Sequence, residues 1–168
     1  MGANAMFAQT TLGTRTMVSA QFVGERGEIA FVTIAVQYYV AGRQAAIAQL
    51  FPVSGNLLHH AVEMLLKGVL CRTKSLEELR ANRHNLKRSW NAFRASFPED
   101  ELAEFTPAVR TLNKFERLRY PDELLTTGMV GMFALFREHS TSASGSASTG
   151  LPLFSLVLED VDAFVSRT

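Results

Sequence analysis

The chain has 168 residues, enough for one domain that buries a substantial core without disulfides. Its 47% hydrophobic and 20% charged residues are typical of globular proteins, and a net charge of +1 makes no general case for a polyanionic partner. The single cysteine, Cys71, excludes an intramolecular disulfide, and no apolar run approaches the roughly 18 residues of a membrane span. We therefore expect one domain over residues 1–168, in the cytoplasm and without a membrane partner.

The first half of the chain predicts two long helices. Residues 1–20 show no periodicity and are expected to be loosely ordered. A first helix near 28–50 must end before Pro52, and its apolar residues fall near helical spacing, at Ile29, Val32, Val36, Val40 and Ile47. A second helix, near 54–71, carries pairs of apolar residues every four positions, which is the broad stripe of a core helix.

Two further helices follow a capping signal. Ser75, with Glu78 three residues later, has the pattern of a capping box and predicts a short helix near 75–80. A longer helix near 84–97 places four apolar residues on one face, Leu86, Trp90, Phe93 and Phe97.

Two prolines mark the start and the end of helical structure in the next segment, which is predicted to be helical near 99–119. Thr106 before Pro107 indicates an N-cap followed by proline in the first turn. Pro121 ends the segment, and Tyr120 before it should be extended.

The C-terminal region has shorter apolar runs. Residues 128–137 and 151–160 have the length of strands and predict a short β-hairpin, joined by a mobile Ser/Gly-rich loop at 138–150. A last helix is expected near 158–167. The two apolar runs exceed what a small helical domain needs to cover, and this excess favours a homodimer.

The polar residues of the second helix invite two interpretations. Glu63 and Lys67 form a correctly ordered i,i+4 ion pair, which we expect at the surface. His59 and His60 are adjacent and diverge by about 100° on a helix, so we expect solvated or capping histidines rather than ligands of one ion. No metal site and no cofactor are predicted.

Basic residues concentrate between positions 72 and 117. A solvated helix face is one interpretation, and a phosphate-contacting surface is the other. The candidates for nucleic-acid contact are Arg83, Lys87, Arg110 and Lys114.

Three motifs in order resemble those of the HEPN-domain family. They are "GNLLHHAVEMLLKGVL" at 55–70, "HNLKRSW" at 84–90 and "RYPD" at 119–122, and the resemblance covers residues 29–122. It implies an up-and-down bundle of four or five helices, frequently dimeric. The family includes metal-independent ribonucleases, toxins paired with minimal nucleotidyltransferases, and inactive binding modules.

The resemblance also implies which residues bind a ligand. The motif-matched candidates are His60, Glu63, Lys67, His84, Arg119, Tyr120 and Asp122. Alternatively, Arg119 and Asp122 pair with each other or with helix ends, and His84 caps the next helix.

Active members of the family carry an arginine followed by a histidine after four to six residues, and that pair is missing here. Neither His59 nor His60 has an arginine within a helical turn of sequence. We therefore expect a non-enzymatic module that binds nucleotide, RNA or a partner protein such as a nucleotidyltransferase. The alternatives are a divergent ribonuclease and a purely structural dimeric scaffold.

Overall fold

A computed structural model describes residues 24–98, 100–120, 122, 126, 130–134 and 153–168. The expectations for residues 1–20 and for the loop at 138–150 lie outside these ranges. The described chain is mainly helical, as the periodicity predicts. Its α-helices are α1 (Glu25–Ile47), α2 (Phe51–Leu70), α3 (Leu76–Ala81), α4 (Leu86–Ser96), α5 (Thr106–Lys114) and α6 (Leu158–Arg167). Two 3₁₀ helices, Asp100–Phe105 and Phe115–Arg119, flank α5, and the two strands are β1 (Val130–Ala134) and β2 (Leu153–Val157).

Helix α1 packs on α2 through its small residues. A Cβ added to Gly42 would lie 2.8 Å from Leu58 Cγ, so only glycine permits this approach. Ser54 Oγ donates a hydrogen bond of 2.9 Å to the Gly42 carbonyl at the same contact. The buried residues of α1 are Gly27, Ala35, Gly42, Ala45 and Ala46.

The branched apolar residues of α1 lie on its outer side, whereas Phe31 and Tyr39 pack against the core. Val36, for example, is 48% exposed. The same is true of every residue whose spacing predicted this helix, namely Ile29, Val32, Val36, Val40 and Ile47. The periodicity thus predicted the helix correctly, but the side that packs on α2 carries mainly small residues, together with Phe31.

Helix α2 runs through the core. The side of α2 that faces the core is almost completely inaccessible to solvent. Cys71, just beyond the helix, is also buried, as expected. Trp90 of α4 stacks on Phe93 and meets the edge of Phe164 from α6, with ring centroids 5.6 and 5.9 Å apart. Burial of side chains of this size is the main source of folding free energy.

One of the two predicted helix caps is present in the structure, and the other is not. Ser75 and Glu78 form the predicted capping box at the start of α3. Thr106 does not cap α5 as predicted; it is the first residue of the helix, and its Oγ1 accepts a hydrogen bond from Trp90 Nε1 at 3.3 Å. Tyr120 is extended, as expected before Pro121.

The prediction of a β-hairpin is wrong, because β1 and β2 pair in parallel, with Val130 opposite Leu153 and Ala134 opposite Val157. A parallel pair needs a crossover of about a dozen or more residues rather than a tight turn. Residues 135–152 provide that length.

The second apolar run is part of the core rather than spare surface. Phe154, Leu156 and Leu158 are all buried within the chain. This segment therefore does not supply the dimer surface that its composition suggested. Within the described ranges, no helix combines the length and the apolar character required to cross a membrane.

Candidate functional site

Polar side chains from three elements meet around Glu63. Helix α2 contributes His59, His60, Glu63 and Lys67, the turn between α3 and α4 contributes His84, and the 3₁₀ helix after α5 contributes Glu116 and Arg119. We call these seven residues the Glu63 cluster. Five of the seven candidates from the HEPN resemblance belong to it.

Glu63 and Lys67 form a buried ion pair, and the prediction of a surface pair is wrong. Glu63 is 0% and Lys67 8% exposed. Lys67 Nζ donates to Glu63 Oε1 at 2.7 Å and to the Arg83 carbonyl at 3.2 Å. Arg83 has a φ of 48°, a conformation that few non-glycine residues adopt. Because the second acceptor comes from a distant turn, the i,i+4 spacing alone could not reveal the burial.

Two histidines donate to the other oxygen of this carboxylate. His60 Nδ1 lies 3.2 Å and His84 Nδ1 3.1 Å from Glu63 Oε2. An ionised carboxylate only accepts, so each Nδ1 carries a proton. His84 therefore does not cap α4. Asn85 does so instead, by accepting from the Arg88 backbone N–H.

These donors set the titration of Glu63. Burial by itself raises the pKa of a carboxyl group, but the hydrogen bonds from His60, Lys67 and His84 outweigh it and hold the pKa of Glu63 at about 2. The carboxylate is therefore ionised at neutral pH and charge-balanced by Lys67.

Arg119 joins the cluster from the "RYPD" motif. Its Nη2 lies 2.6 Å from His60 Nε2, and its Nη1 lies 3.3 Å from Glu116 Oε1. No arginine lies within a helical turn of His60 in the sequence, but the fold brings Arg119 to it from a distant element. Arg119 thus pairs with Glu116, three residues earlier in its own helix.

His59 is buried, so the prediction of a solvated histidine is wrong, although the side chain does bond a carbonyl in the last turn of α5. Its Nδ1 lies 3.0 Å from the Leu112 carbonyl, which can only accept, and so Nδ1 carries the proton. Burial lowers the pKa of His59 below its ordinary value of 6.5 and favours the neutral ring. The lone pair on Nε2 then faces Glu116 Oε2 at 3.5 Å and Glu63 Oε2 at 4.0 Å.

Neither His59 Nε2 nor Glu116 Oε2 has a hydrogen-bond partner among the described residues, although both atoms are buried. Buried polar atoms are nearly always satisfied, so this pair of acceptors is unusual. It marks a position where a donor or a cation would be stabilised.

The adjacent histidines His59 and His60 lie closer together than their divergence of about 100° along the helix suggested. One ligand atom each from His59, His60 and Glu63 lies within 4.8 Å of the others. The two Cα–Cβ bonds do diverge, but the rings turn toward each other, with centroids 5.4 Å apart and planes at 86°. Glu63, one turn further along the helix, lies between them.

Two of the motif-matched candidates lie at the surface. Tyr120 is 66% exposed. Asp122 is exposed too, and its backbone carbonyl accepts a hydrogen bond from Thr126 Oγ1 at 2.8 Å. The structure does not bring these two side chains into the Glu63 cluster.

The basic residues form a second feature, a cleft between α4 and α5. We call it the basic cleft; it has a volume of about 230 Å³ and is lined by Lys87, Trp90, Asn91, Arg94, Thr106, Val109 and Arg110. No lining residue among the described ones is acidic. Arg94 Nη1 is buried and has no hydrogen-bond partner in the described part of the chain.

The structure thus brings together two of the four nucleic-acid candidates, Lys87 and Arg110. The side chains of Arg83 and Lys114 are exposed and do not line this cleft. Arg94 was part of the basic run but not of the predicted set. Its spacing gave the signal, since it lies seven residues, or about two helical turns, after Lys87.

The candidate set also omitted His59 and Glu116. Glu116 gave a weak signal, its i,i+3 spacing from Arg119.

The chain matches no protein-family model, no curated protein and no solved structure.

Proposed function

We propose that this chain is a non-enzymatic, HEPN-like helical bundle that binds RNA or nucleotides by their phosphates in the basic cleft. The observation that carries the proposal is the grouping of Lys87, Arg94 and Arg110 around one concave surface with no acidic residue among its described lining residues. Cations on one face are the physical requirement for contacts with phosphate oxygens.

The state of Arg94 supports a ligand that accepts hydrogen bonds. A buried guanidinium nitrogen without a partner is costly, and a phosphate oxygen would satisfy it with a charge-assisted bond. Trp90 is almost fully buried and its Nε1 is already bonded to Thr106, so it offers no face on which a base could stack. We therefore expect phosphate contacts to dominate and sequence preference to be weak.

The test is the binding of fluorescently labelled single-stranded RNA, followed by anisotropy over a range of salt concentrations. Affinity should fall steeply with salt, with a slope of about −0.7 per phosphate contact in a plot of log K against log salt. Combined replacement of Lys87, Arg94 and Arg110 by glutamine should weaken binding and make this slope shallower.

The matched control removes two cations that already have partners. Arg72 pairs with Glu28, and Arg167 pairs with Glu104. Their replacement by glutamine should leave RNA affinity almost unchanged. Equal affinity of the triple variant and the wild type would refute the proposal.

One contact favours the ribonuclease alternative. Arg119 lies against His60, so a cation and an imidazole meet in space although the family's spacing is missing. Both ring nitrogens of His60 are engaged, however, which leaves no free group for proton transfer. Incubation of labelled RNA with protein and chelator should give no cleavage. Specific cleavage that disappears in His84→Ala would establish the alternative.

We also propose that two copies of the chain associate through the outer side of α1. This helix has 23 residues, a length of about 35 Å, and its exposed side carries large apolar residues at three- and four-residue spacing. A surface of this kind, on a helix that already packs through its small side, suits a symmetric partner.

Light scattering tests this association. Val36→Glu places a charge in the middle of the apolar side and should shift the protein to its monomer mass of 18.6 kDa. Gln37→Glu, at an exposed polar position one residue further on, is the control and should not. A wild-type protein that is entirely monomeric at micromolar concentrations would contradict the proposal.

A further inference from the structure

The basic cleft is small, and its size limits which part of an RNA can enter it. Its volume of about 230 Å³ is below the roughly 300–1,000 Å³ of sites that enclose a whole small molecule. Trp90 and Val109, both buried, belong to its lining, and neither offers a face on which a base could stack. The cleft therefore suits one chemical group of a nucleic acid rather than a stretch of strand.

The polar residues of the cleft come from facing sides of two helices. Lys87, Asn91 and Arg94 follow at i, i+4 and i+7 along α4, and Thr106 and Arg110 follow at i and i+4 along α5. Each of these side chains can donate hydrogen bonds, and no lining residue among the described ones is acidic. Such a set of donors fits a group that offers several acceptor oxygens and negative charge.

We infer that the basic cleft binds the terminal phosphate monoester of an RNA, an inference that rests on the proposed function and specifies its ligand. An internal phosphodiester carries one negative charge and has two oxygens that are not part of the chain. A phosphate monoester has three such oxygens and a charge of about −1.5 to −2 at pH 7. Three cations, Lys87, Arg94 and Arg110, are therefore neutralised better by a terminal phosphate.

The burial of Arg94 favours the same group on steric grounds. Its Nη1 is buried and has no hydrogen-bond partner among the residues that the structure describes, so an oxygen must enter the cleft to reach it. An internal phosphate carries a sugar on each side, whereas a terminal phosphate carries one sugar and can enter end-on. Away from water, the charge-assisted hydrogen bond that it accepts from the guanidinium group is strengthened.

The test compares three RNAs of one sequence that carry an internal fluorophore, so that both ends stay free. One has hydroxyl groups at both ends, one a 5′-phosphate and one a 3′-phosphate. At least one phosphorylated RNA should bind about tenfold or more tightly than the hydroxyl-ended RNA, because a buried charge-assisted hydrogen bond has an effect of this size. Equal affinity for all three would overturn this inference and leave the proposed function standing. Binding of none of them would refute the proposed function itself.

Variants of the lining cations locate the terminal phosphate. The measured quantity is the ratio of the affinities for phosphorylated and hydroxyl-ended RNA, because a general loss of binding lowers both. Arg94→Gln should bring this ratio close to one, and Arg110→Gln, at an exposed position, should lower it even where the first variant fails to fold. Arg72→Gln is the control, since Arg72 already pairs with Glu28, and it should keep the wild-type ratio. An unchanged ratio in Arg110→Gln and in folded Arg94→Gln would refute the inference.

The same ratio should depend on pH. A phosphate monoester loses its second negative charge as the pH falls through about 6, whereas the internal phosphates keep theirs. No histidine or carboxylate is among the described lining residues, so a change in the ratio follows the ligand rather than the cleft. The ratio should therefore fall toward one between about pH 7.5 and about pH 5. A constant ratio over this range would contradict recognition of the monoester by its charge.

Discussion

Arg119 Nη2 lies 2.6 Å from His60 Nε2, and this single contact determines where the proton of His60 is. A guanidinium group has donors only, so His60 Nε2 must accept. The proton is then on Nδ1, which donates to Glu63 Oε2 at 3.2 Å. Arg119, His60 and Glu63 thus form a hydrogen-bonded chain in which a neutral ring links a cation to a carboxylate.

The first prediction concerns this tautomer. Long-range ¹H–¹⁵N NMR correlations of the wild type should identify His60 as the neutral Nδ1–H form at pH 7. Arg119→Met removes the donor and should allow His60 to populate the Nε2–H tautomer as well. Arg72→Met, remote from the cluster and paired with Glu28, should leave the His60 signals unchanged. Signals of the Nε2–H tautomer in the wild type would contradict the geometry.

The second prediction concerns the buried ion pair. Glu63→Gln leaves the Lys67 ammonium group buried without a counter-charge, which should lower the free energy of unfolding by about 3–5 kcal/mol. For a chain of this size the melting temperature should fall by roughly 10 °C. Thermal unfolding followed by circular dichroism measures the change.

A double variant distinguishes the cost of leaving one charge unpaired from the cost of losing the whole ion pair. Glu63→Gln combined with Lys67→Met removes both charges and should cost less than the sum of the two single changes. Additive losses would show that the pair is not coupled. Losses of only a few tenths of a kcal/mol would indicate that the pair is exposed to solvent, because exposed i,i+4 pairs contribute about 0.3–0.5 kcal/mol.

The third prediction is loss of stability in acid. Since the folded pKa of Glu63 is about 2, below its ordinary 4.5, its contribution is complete above pH 4.5 and is lost as the pH falls toward 2. Burial also lowers the pKa of His59 below 6.5, so the unfolded chain takes up a proton below pH 6.5 that the folded chain resists. Both groups therefore lower stability as pH falls.

Urea denaturation between pH 7 and pH 3 checks this dependence. The midpoint should decrease steadily with acidity in the wild type. Glu63→Gln should show a shallower decrease below pH 4.5, whereas Glu104→Gln, an exposed carboxylate, should follow the wild type. A flat profile in the wild type would exclude both pKa shifts.

Local sequence signals predicted most of the helices, but not which side of each helix packs against its neighbours. The Ser75–Glu78 capping box and the limits set by Pro52 and Pro121 depend on residues within one turn, so the sequence contains the whole interaction. The orientation of α1 depends on Gly42 fitting against Leu58, a contact with another helix. Periodicity identifies an apolar side but does not tell which neighbour it packs against.

The same limit applies to the Glu63 cluster. Motif matching identified five of its members, but the second acceptor of Lys67, the Arg83 carbonyl, and the partner of His60, Arg119, are both distant in sequence. Glu116 and His59 carried too little local signal. The parallel pairing of β1 and β2 was missed because strand length does not determine direction.

The last prediction concerns Gly55, near the start of α2. A Cβ at this position would overlap the ring of Phe115, which is fully buried and leans on β2 through Phe154 with ring centroids 5.5 Å apart. Because the ring cannot retreat, Gly55→Ala should destabilise the protein by about 1–3 kcal/mol, despite the higher helix propensity of alanine. Gly24→Ala is the matched control, because a Cβ there meets nothing within 4 Å. Equal unfolding midpoints for the two variants would show that α2 and the 3₁₀ helix carrying Phe115 do not pack as closely as described. Such a result would also contradict the position of Glu116 beside His59, because Glu116 follows Phe115 in the same helix.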